Sequence, residues 1–281
     1  DDAKSFINFL SNEFRSSKKN SKLINANWID YCNKILNKFP HLEFPTHNDT
    51  KGFINSYKFI DKLSKDLKKN SCIVTDMGTA LLSGHQKINL KKSQKIMTST
   101  GLGEMGYGLP GAIGASFGLN KGEVICLNCD GGIMMNLQEL QTIDEYNLPI
   151  KTFVFNNDGY LMIKHTQKNL FKGNYVAVNK DTNISCPNLK KLAAAFNMKY
   201  YLIKNWNDYN NKIKKILNNK RPVICEIIMN PEQYFHPKLG TTINKKGKII
   251  SPPLEDLSPL LSRKDLKKNM IISIHSKSEE I

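Results

Sequence analysis

Residues 123–159 read EVICLNCDGGIMMNLQELQTIDEYNLPIKTFVFNNDG. Two apolar, β-branched runs, Glu123–Leu127 and Lys151–Phe155, enclose a segment, Leu137–Tyr146, whose apolar residues recur at helical spacing. Strand, helix and strand in so short a stretch form a βαβ unit, which pairs its strands in parallel and covers both faces of the sheet. Ligands of such sheets sit beyond the carboxyl ends of the strands. Both strands end there on unusual residues, Cys129-Asp130-Gly131-Gly132 and Asn156-Asn157-Asp158-Gly159.

The same alternation extends outward. Upstream lie a helix (Tyr57–Lys68), strands Cys72–Thr75 and Lys95–Thr98, and a helix (Gly108–Phe117). Downstream lie helix Leu189–Phe196, strand Tyr200–Ile203, helix Tyr209–Leu217 and strand Pro222–Met229. The pattern predicts an α/β fold, a three-layer α/β/α sandwich on a mainly parallel six-stranded sheet, spanning residues 53–232. Residues 1–52 carry two helical stretches (Ala3–Phe14 and Trp28–Lys38) and a Pro- and His-containing linker, and read as the end of an upstream domain. Residues 233–281, with Pro252-Pro253 and short apolar pieces, read as a wrapping tail. The chain starts at Asp1 without an apolar leader, so a fragment or processed product is expected.

Composition narrows the function classes. The 281 residues carry a net charge of +16, which invites a nucleic-acid reading. The lysines, however, fall in scattered pairs (Lys18-Lys19, Lys68-Lys69, Lys214-Lys215) and form no stripe interleaved with aromatics, so a solvated surface is expected and no nucleic-acid partner. No run approaches the roughly 18 to 20 apolar residues of a membrane span, so a soluble chain with no membrane partner is expected. Of six cysteines, Cys72, Cys126 and Cys225 lie inside strand-like runs, a usage suited to small buried hydrophobes in a reducing cytoplasm. Cys126 and Cys129 have redox-pair spacing, but no second pair completes a zinc site, and residues three apart on a strand face opposite ways.

The strand ends supply the chemistry. Asp130 is followed by two glycines that let a backbone approach a ligand closely, and Asn157 closes the neighbouring strand. A carboxylate and an amide oxygen on adjacent strand ends can share one hard cation; magnesium takes oxygen ligands and completes its shell with water and phosphates. Glycine amides and a helix start add donors for a phosphate. Singly, Asp130 would be a helix cap and Asn156–Gly159 a turn; paired one βαβ unit apart, they predict a metal–diphosphate site.

Asp-Gly at one strand end and Asn-Asn at the next resemble the fingerprint of thiamine-diphosphate-dependent enzymes. Gly101-Leu-Gly-Glu-Met-Gly-Tyr-Gly-Leu-Pro110, Asn136-Leu-Gln-Glu-Leu-Gln-Thr-Ile143 and Asn147-Leu-Pro-Ile-Lys151 are similar to the acetolactate synthase branch, specifically the C-terminal pyrophosphate-binding domain of its large subunit. The resemblance covers roughly Ser56 to Pro231. It implies magnesium held by Asp130, the Asn157 side chain and the Gly159 carbonyl. Gly78, Thr79, Gly131 and Gly132 would lie against the diphosphate of thiamine diphosphate, with Leu161 and Met162 also touching the cofactor. The Gly103 backbone would accept from the cofactor's amino group, and Met105 would wedge beneath the bent cofactor, a catalytic role because the protein's task is to fix cofactor conformation. Core filling would be the plainer reading of Met105 were it not inside the glycine run.

The implied activity is magnesium-dependent decarboxylation of a 2-oxo acid such as pyruvate and acyl transfer to a second carbonyl. Alternatives are a related 2-oxo acid decarboxylase, an acetyl transferase acting on a keto-sugar, and a non-catalytic homologous subunit, which would be expected to lose Asp130 and Asn157. A nicotinamide dehydrogenase would place Gly-x-Gly-x-x-Gly directly after the first strand, which this chain does not.

The chain departs from the family at four points. Cys129 stands where glycine is usual, and Thr79-Ala80 where the acetolactate synthase branch commonly has Gln-His. Thr166 falls near the position of a Trp that shapes the acceptor pocket. The glutamate that activates the cofactor belongs to an N-terminal pyrimidine-binding domain, absent here and supplied by the missing region or a neighbouring subunit of a homodimer or homotetramer; Glu104 is not that glutamate. Residues 1–281 alone are therefore expected to be inactive. Asp130→Ala is expected to abolish cofactor binding and spare the fold, since Asp130 closes a strand. Lys164 and His165 read equally as a surface helix and as groups for a substrate carboxylate, and Glu139 reads as structural.

Overall fold

The computed structural model describes residues 2–16, 26–39, 44–50 and 52–281. Six strands, β1 (Cys72–Thr75), β2 (Lys95–Met97), β3 (Val124–Cys129), β4 (Ile150–Asn156), β5 (Lys199–Ile203) and β6 (Val223–Ile228), form one sheet in the order β2-β1-β3-β4-β6-β5. Every pairing is parallel. The sandwich expected from the alternation is present, with a wholly parallel sheet.

The helices are, in chain order, α1 (Ala3–Ser16) and α2 (Ala26–Lys38), which bury no residue, then α3 (Ser56–Asp66), α4 (Thr79–Lys87), α5 (Gly108–Gly118), the single turn α6 (Asp130–Ile133), α7 (Glu139–Glu145), α8 (Leu161–Leu170), α9 (Leu189–Ala195) and α10 (Trp206–Leu217). Side chains along β3 show why both faces need cover. Ile125, Leu127 and Cys129 enter one core with Phe59, Ile60 and Leu63 of α3 and Tyr209, Ile213 and Ile216 of α10. Val124 and Cys126 enter the other with Leu109 and Ala112 of α5, Ile143 of α7 and Ala193 of α9. The two-residue period thus places Cys126 and Cys129 on opposite faces, and all six cysteines are free. The caps explain where two of these helices begin: the side chain of Asn55 accepts the Tyr57 N–H, and that of Asn205 accepts the Asp208 N–H.

Residues after β6 form a two-strand hairpin (Thr242–Ile243 with Ile249–Ile250) and two short helices, α11 (Arg263–Asn269) and α12 (Ser276–Glu279). Tyr31 and Lys38 of α2 hydrogen-bond Asn269 at the end of α11. Among the described residues no helix is long and apolar enough to cross a membrane.

Strand order fixes where a ligand belongs. From β1 the chain steps outward to β2, then back across to β3 and onward, so the order reverses between β1 and β3. In open α/β sheets, the crevice at the carboxyl ends of two such strands is the binding place. Here it lies between the loop after β1 and Asp130-Gly131-Gly132 after β3.

Candidate functional site

A cavity of ≈ 320 Å³ occupies that crevice. Gly78, Thr79, Gly103, Met105, Gly131, Gly132, Asn157, Gly159, Leu161 and Met162 all line it. The site residues named from sequence are therefore brought together, with one exception. Asp130 is fully buried and does not line the cavity; it lies directly beneath the loop that closes it.

The geometry around Asp130 explains that placement. Its Oδ2 accepts the N–H groups of Asn157 (3.0 Å) and Gly159 (2.9 Å), and Oδ1 accepts that of Gly131 (2.9 Å). One carboxylate thus ties the ends of β3 and β4 into a single unit. Burial pushes its pKa up to about 6 even though these N–H donors favour the charged form.

Asn157 carries the clearest sign of a missing partner. Its Nδ2 donates to Thr79 Oγ1 (3.2 Å), which fixes the amide's orientation, while Oδ1 is buried with no hydrogen-bond partner. A buried acceptor left unpaired costs about 1–3 kcal/mol, and an oxygen so placed suits a hard cation. Among the described residues no group of three or more His, Cys, Asp or Glu side chains gathers to hold a metal. One carboxylate with amide and backbone oxygens is the sparse donor set of magnesium bound together with phosphate.

The floor of the cleft tolerates little bulk. A Cβ on Gly131 would lie 2.5 Å from the Tyr160 ring, and one on Gly132 would lie 2.7 Å from Asp76 Oδ2. Asp76 has a role that the sequence reading missed. Fully buried at the end of β1, it accepts the N–H groups of Met77 (2.7 Å) and Gly106 (3.0 Å), and so anchors the loop carrying Gly103 and Met105. Burial raises its pKa against those bonds. An acid closing an apolar strand was the available signal; its partner amide lies 30 residues away.

The Cys129 thiol bridges the loop after β1, donating to the Met77 carbonyl (3.3 Å) and accepting the Ala80 N–H (3.4 Å). Cys186, also overlooked, sits beside Asp130; burial, then the charges of Asp130 and Asp158, push its thiol up to about 12.

The two readings of Lys164 and His165 separate. Lys164, its side chain largely buried, pairs with the exposed Glu232. His165 is buried, stacked on Tyr234 at 4.3 Å between centroids, and neither ring nitrogen has a hydrogen-bond partner. Burial, then neighbouring Lys238, push its pKa down to about 4. Unfolded, the same group titrates near 6.5, so between those values the unfolded chain binds the proton and the folded one does not. Stability is expected to fall by about 2 kcal/mol between pH 7.5 and pH 5 from this residue alone. Urea melts at both pH values, compared with His165→Leu, read the difference; an equal acid loss in the variant would assign it elsewhere.

Comparison with known proteins fits this geometry. Residues 76–227 match the family described as "Thiamine pyrophosphate enzyme, C-terminal TPP binding domain". The chain is 31% identical over 224 residues to the probable acetolactate synthase large subunit of Methanococcus aeolicus, covering 77% of this chain and 36% of that protein. It is 30% identical over 261 residues to the acetolactate synthase large subunit of Porphyra purpurea, covering 92% and 42%. Against the acetolactate synthase isozyme 1 large subunit of Escherichia coli (strain K12), it is 31% identical over 214 residues, covering 75% and 36%. The chain thus spans 36–42% of the length of these curated relatives.

Proposed function

The chain belongs to the thiamine pyrophosphate enzyme family, and from that premise we propose that it forms the magnesium- and diphosphate-holding half of an acetolactate-synthase-like enzyme acting on a 2-oxo acid such as pyruvate. The observation that carries the reading is the unpartnered Asn157 Oδ1 above Asp130 at the crevice where strand order reverses.

In this reading, Asp130, Asn157 Oδ1 and the Gly159 carbonyl hold magnesium. Thr79 orients the Asn157 amide, and Gly78, Gly131 and Gly132 present backbone to the diphosphate at the starts of α4 and α6. When bound, thiamine diphosphate supplies the carbanion chemistry of decarboxylation and acyl transfer. Asp76 holds the loop from which Met105 and Gly103 meet the cofactor, while Leu81, Leu82, Leu161 and Met162 form an apolar wall that excludes water. In this reading the activating glutamate and the pyrimidine-binding domain lie outside residues 1–281, in a further region of the same protein or in a neighbouring subunit of a homodimer or homotetramer. Six free thiols suit a cytoplasmic setting.

The test is calorimetric titration of the full polypeptide with thiamine diphosphate, with and without magnesium. Saturable binding that needs the metal is expected; binding indifferent to magnesium would remove the reading. A keto-sugar acceptor is favoured as a second reading by Thr166, whose small side chain leaves space beside Met162.

A further inference from the structure

Next to the cofactor cleft lies a second cavity of ≈ 450 Å³, and Leu82 and Met162 line both. Its wall includes Gln86, His165, Thr166 and, from beyond β6, Lys238. A volume in the range that encloses drug-sized ligands, roughly 300–1,000 Å³, would be left mostly unfilled by a three-carbon oxo acid.

The groups in this wall lack partners of a particular kind. Lys238 is held in place through its backbone, which pairs with Ser258 in both directions, yet its ammonium has no acidic partner among the described residues. It is partly buried, and an unpaired cation in such a place calls for an anion. Lys168 is also near enough to act on His165, whereas the acid on that side, Glu232, is already paired with Lys164. Gln86 donates through Nε2 to the Pro237 carbonyl (2.8 Å), which fixes its amide, and its Oε1 is buried without a donor. The His165 imidazole likewise has one donor and one acceptor unused. A bare anion satisfies Lys238 but offers no hydrogen to Gln86; a hydroxyl does.

Resting on the cofactor reading above, we infer that this cavity receives the far end of the second substrate, a hydroxylated carbonyl compound bearing an anionic group, with the Lys238 ammonium as its counter-charge. Thr166 lines this cavity one turn after Met162: its hydroxyl is turned back onto the Met162 carbonyl (3.2 Å), and its short side chain leaves room there. The anion is a phosphate or a carboxylate, and both present the same acceptor oxygens to a lysine.

The experiment uses the full polypeptide saturated with thiamine diphosphate and magnesium, so that no probe enters the diphosphate site. Glucose 6-phosphate, gluconate and glucose are titrated in by calorimetry as phosphate, carboxylate and neutral probes. Binding of at least one anionic probe is expected, with glucose much weaker. Lys238→Met should weaken the anionic probe about tenfold or more, and Thr166→Trp should block it sterically through a different residue. Cofactor titration of each variant distinguishes the two readings. Loss of cofactor binding in the wild-type protein overturns the functional reading itself. Cofactor binding with glucose bound as well as the anionic probes, with no anionic probe bound, or with an anionic probe insensitive to Lys238→Met, overturns the acceptor assignment alone.

Discussion

Asp130→Asn is expected to weaken magnesium-dependent thiamine diphosphate binding on the order of 100-fold or more, since it removes the buried negative charge at the junction of β3 with the Asn157–Gly159 loop. Asparagine is the better test than alanine. The position at a strand end suggests that alanine would spare the fold, but the structure corrects this expectation. The Asp130 carboxylate is fully buried and accepts three backbone N–H groups, from Gly131, Asn157 and Gly159. Alanine strands all three, at about 1–3 kcal/mol for each buried group left unpaired, and so lowers stability along with binding. Asparagine retains an oxygen for the Asn157 and Gly159 amides and loses the charge. Urea melts should therefore separate the variants, with alanine clearly less stable, while calorimetry shows both deficient in cofactor binding. Undiminished, magnesium-dependent affinity in Asp130→Asn would remove Asp130 from the metal site.

The parts of this site that could be read in the sequence are those determined by short stretches of chain. β3 and β4 announce themselves because nearly every residue in them is buried, so apolar residues dominate both even with Asn128, Lys151 and Thr152 among them. The Asp-Gly-Gly and Asn-Asn ends follow directly, and so does their meeting, because strands consecutive in the chain are most often neighbours in the sheet. The order of the six strands is set by pairings between distant segments, so the crevice between β1 and β3 could not be seen in the sequence. For the same reason Asp76 went without a role, its partner Gly106 lying beyond β2. His165 was ambiguous because Leu161–Leu170 has no clear apolar stripe; what buries its ring is Tyr234 and Phe235, some 70 residues further on. The tail beginning there, read as a wrapping, also supplies Lys238 to the second cavity.

Gly159→Ala is expected to be nearly as damaging as the loss of the Asp130 charge, and for a steric reason. Gly159 has φ +133°, a conformation open almost only to glycine, and a Cβ there would lie 2.1 Å from the Val178 carbonyl oxygen. That oxygen cannot yield freely, because it accepts the Tyr160 N–H at 2.8 Å. On its other side Gly159 is pinned through its own N–H to Asp130. An added methyl must therefore push the loop off Val178 and pull the Asn157 and Gly159 oxygens away from the position shared with Asp130. Cofactor affinity should fall at least tenfold, with stability lower by about 1–3 kcal/mol from backbone strain. The neighbouring residue provides the control. Asp158 is exposed at φ +64°, a left-handed conformation that glycine adopts more readily, so Asp158→Gly should leave affinity and stability nearly unchanged. If Gly159→Ala bound cofactor as well as Asp158→Gly does, the Asn157–Gly159 loop would not be what holds the metal.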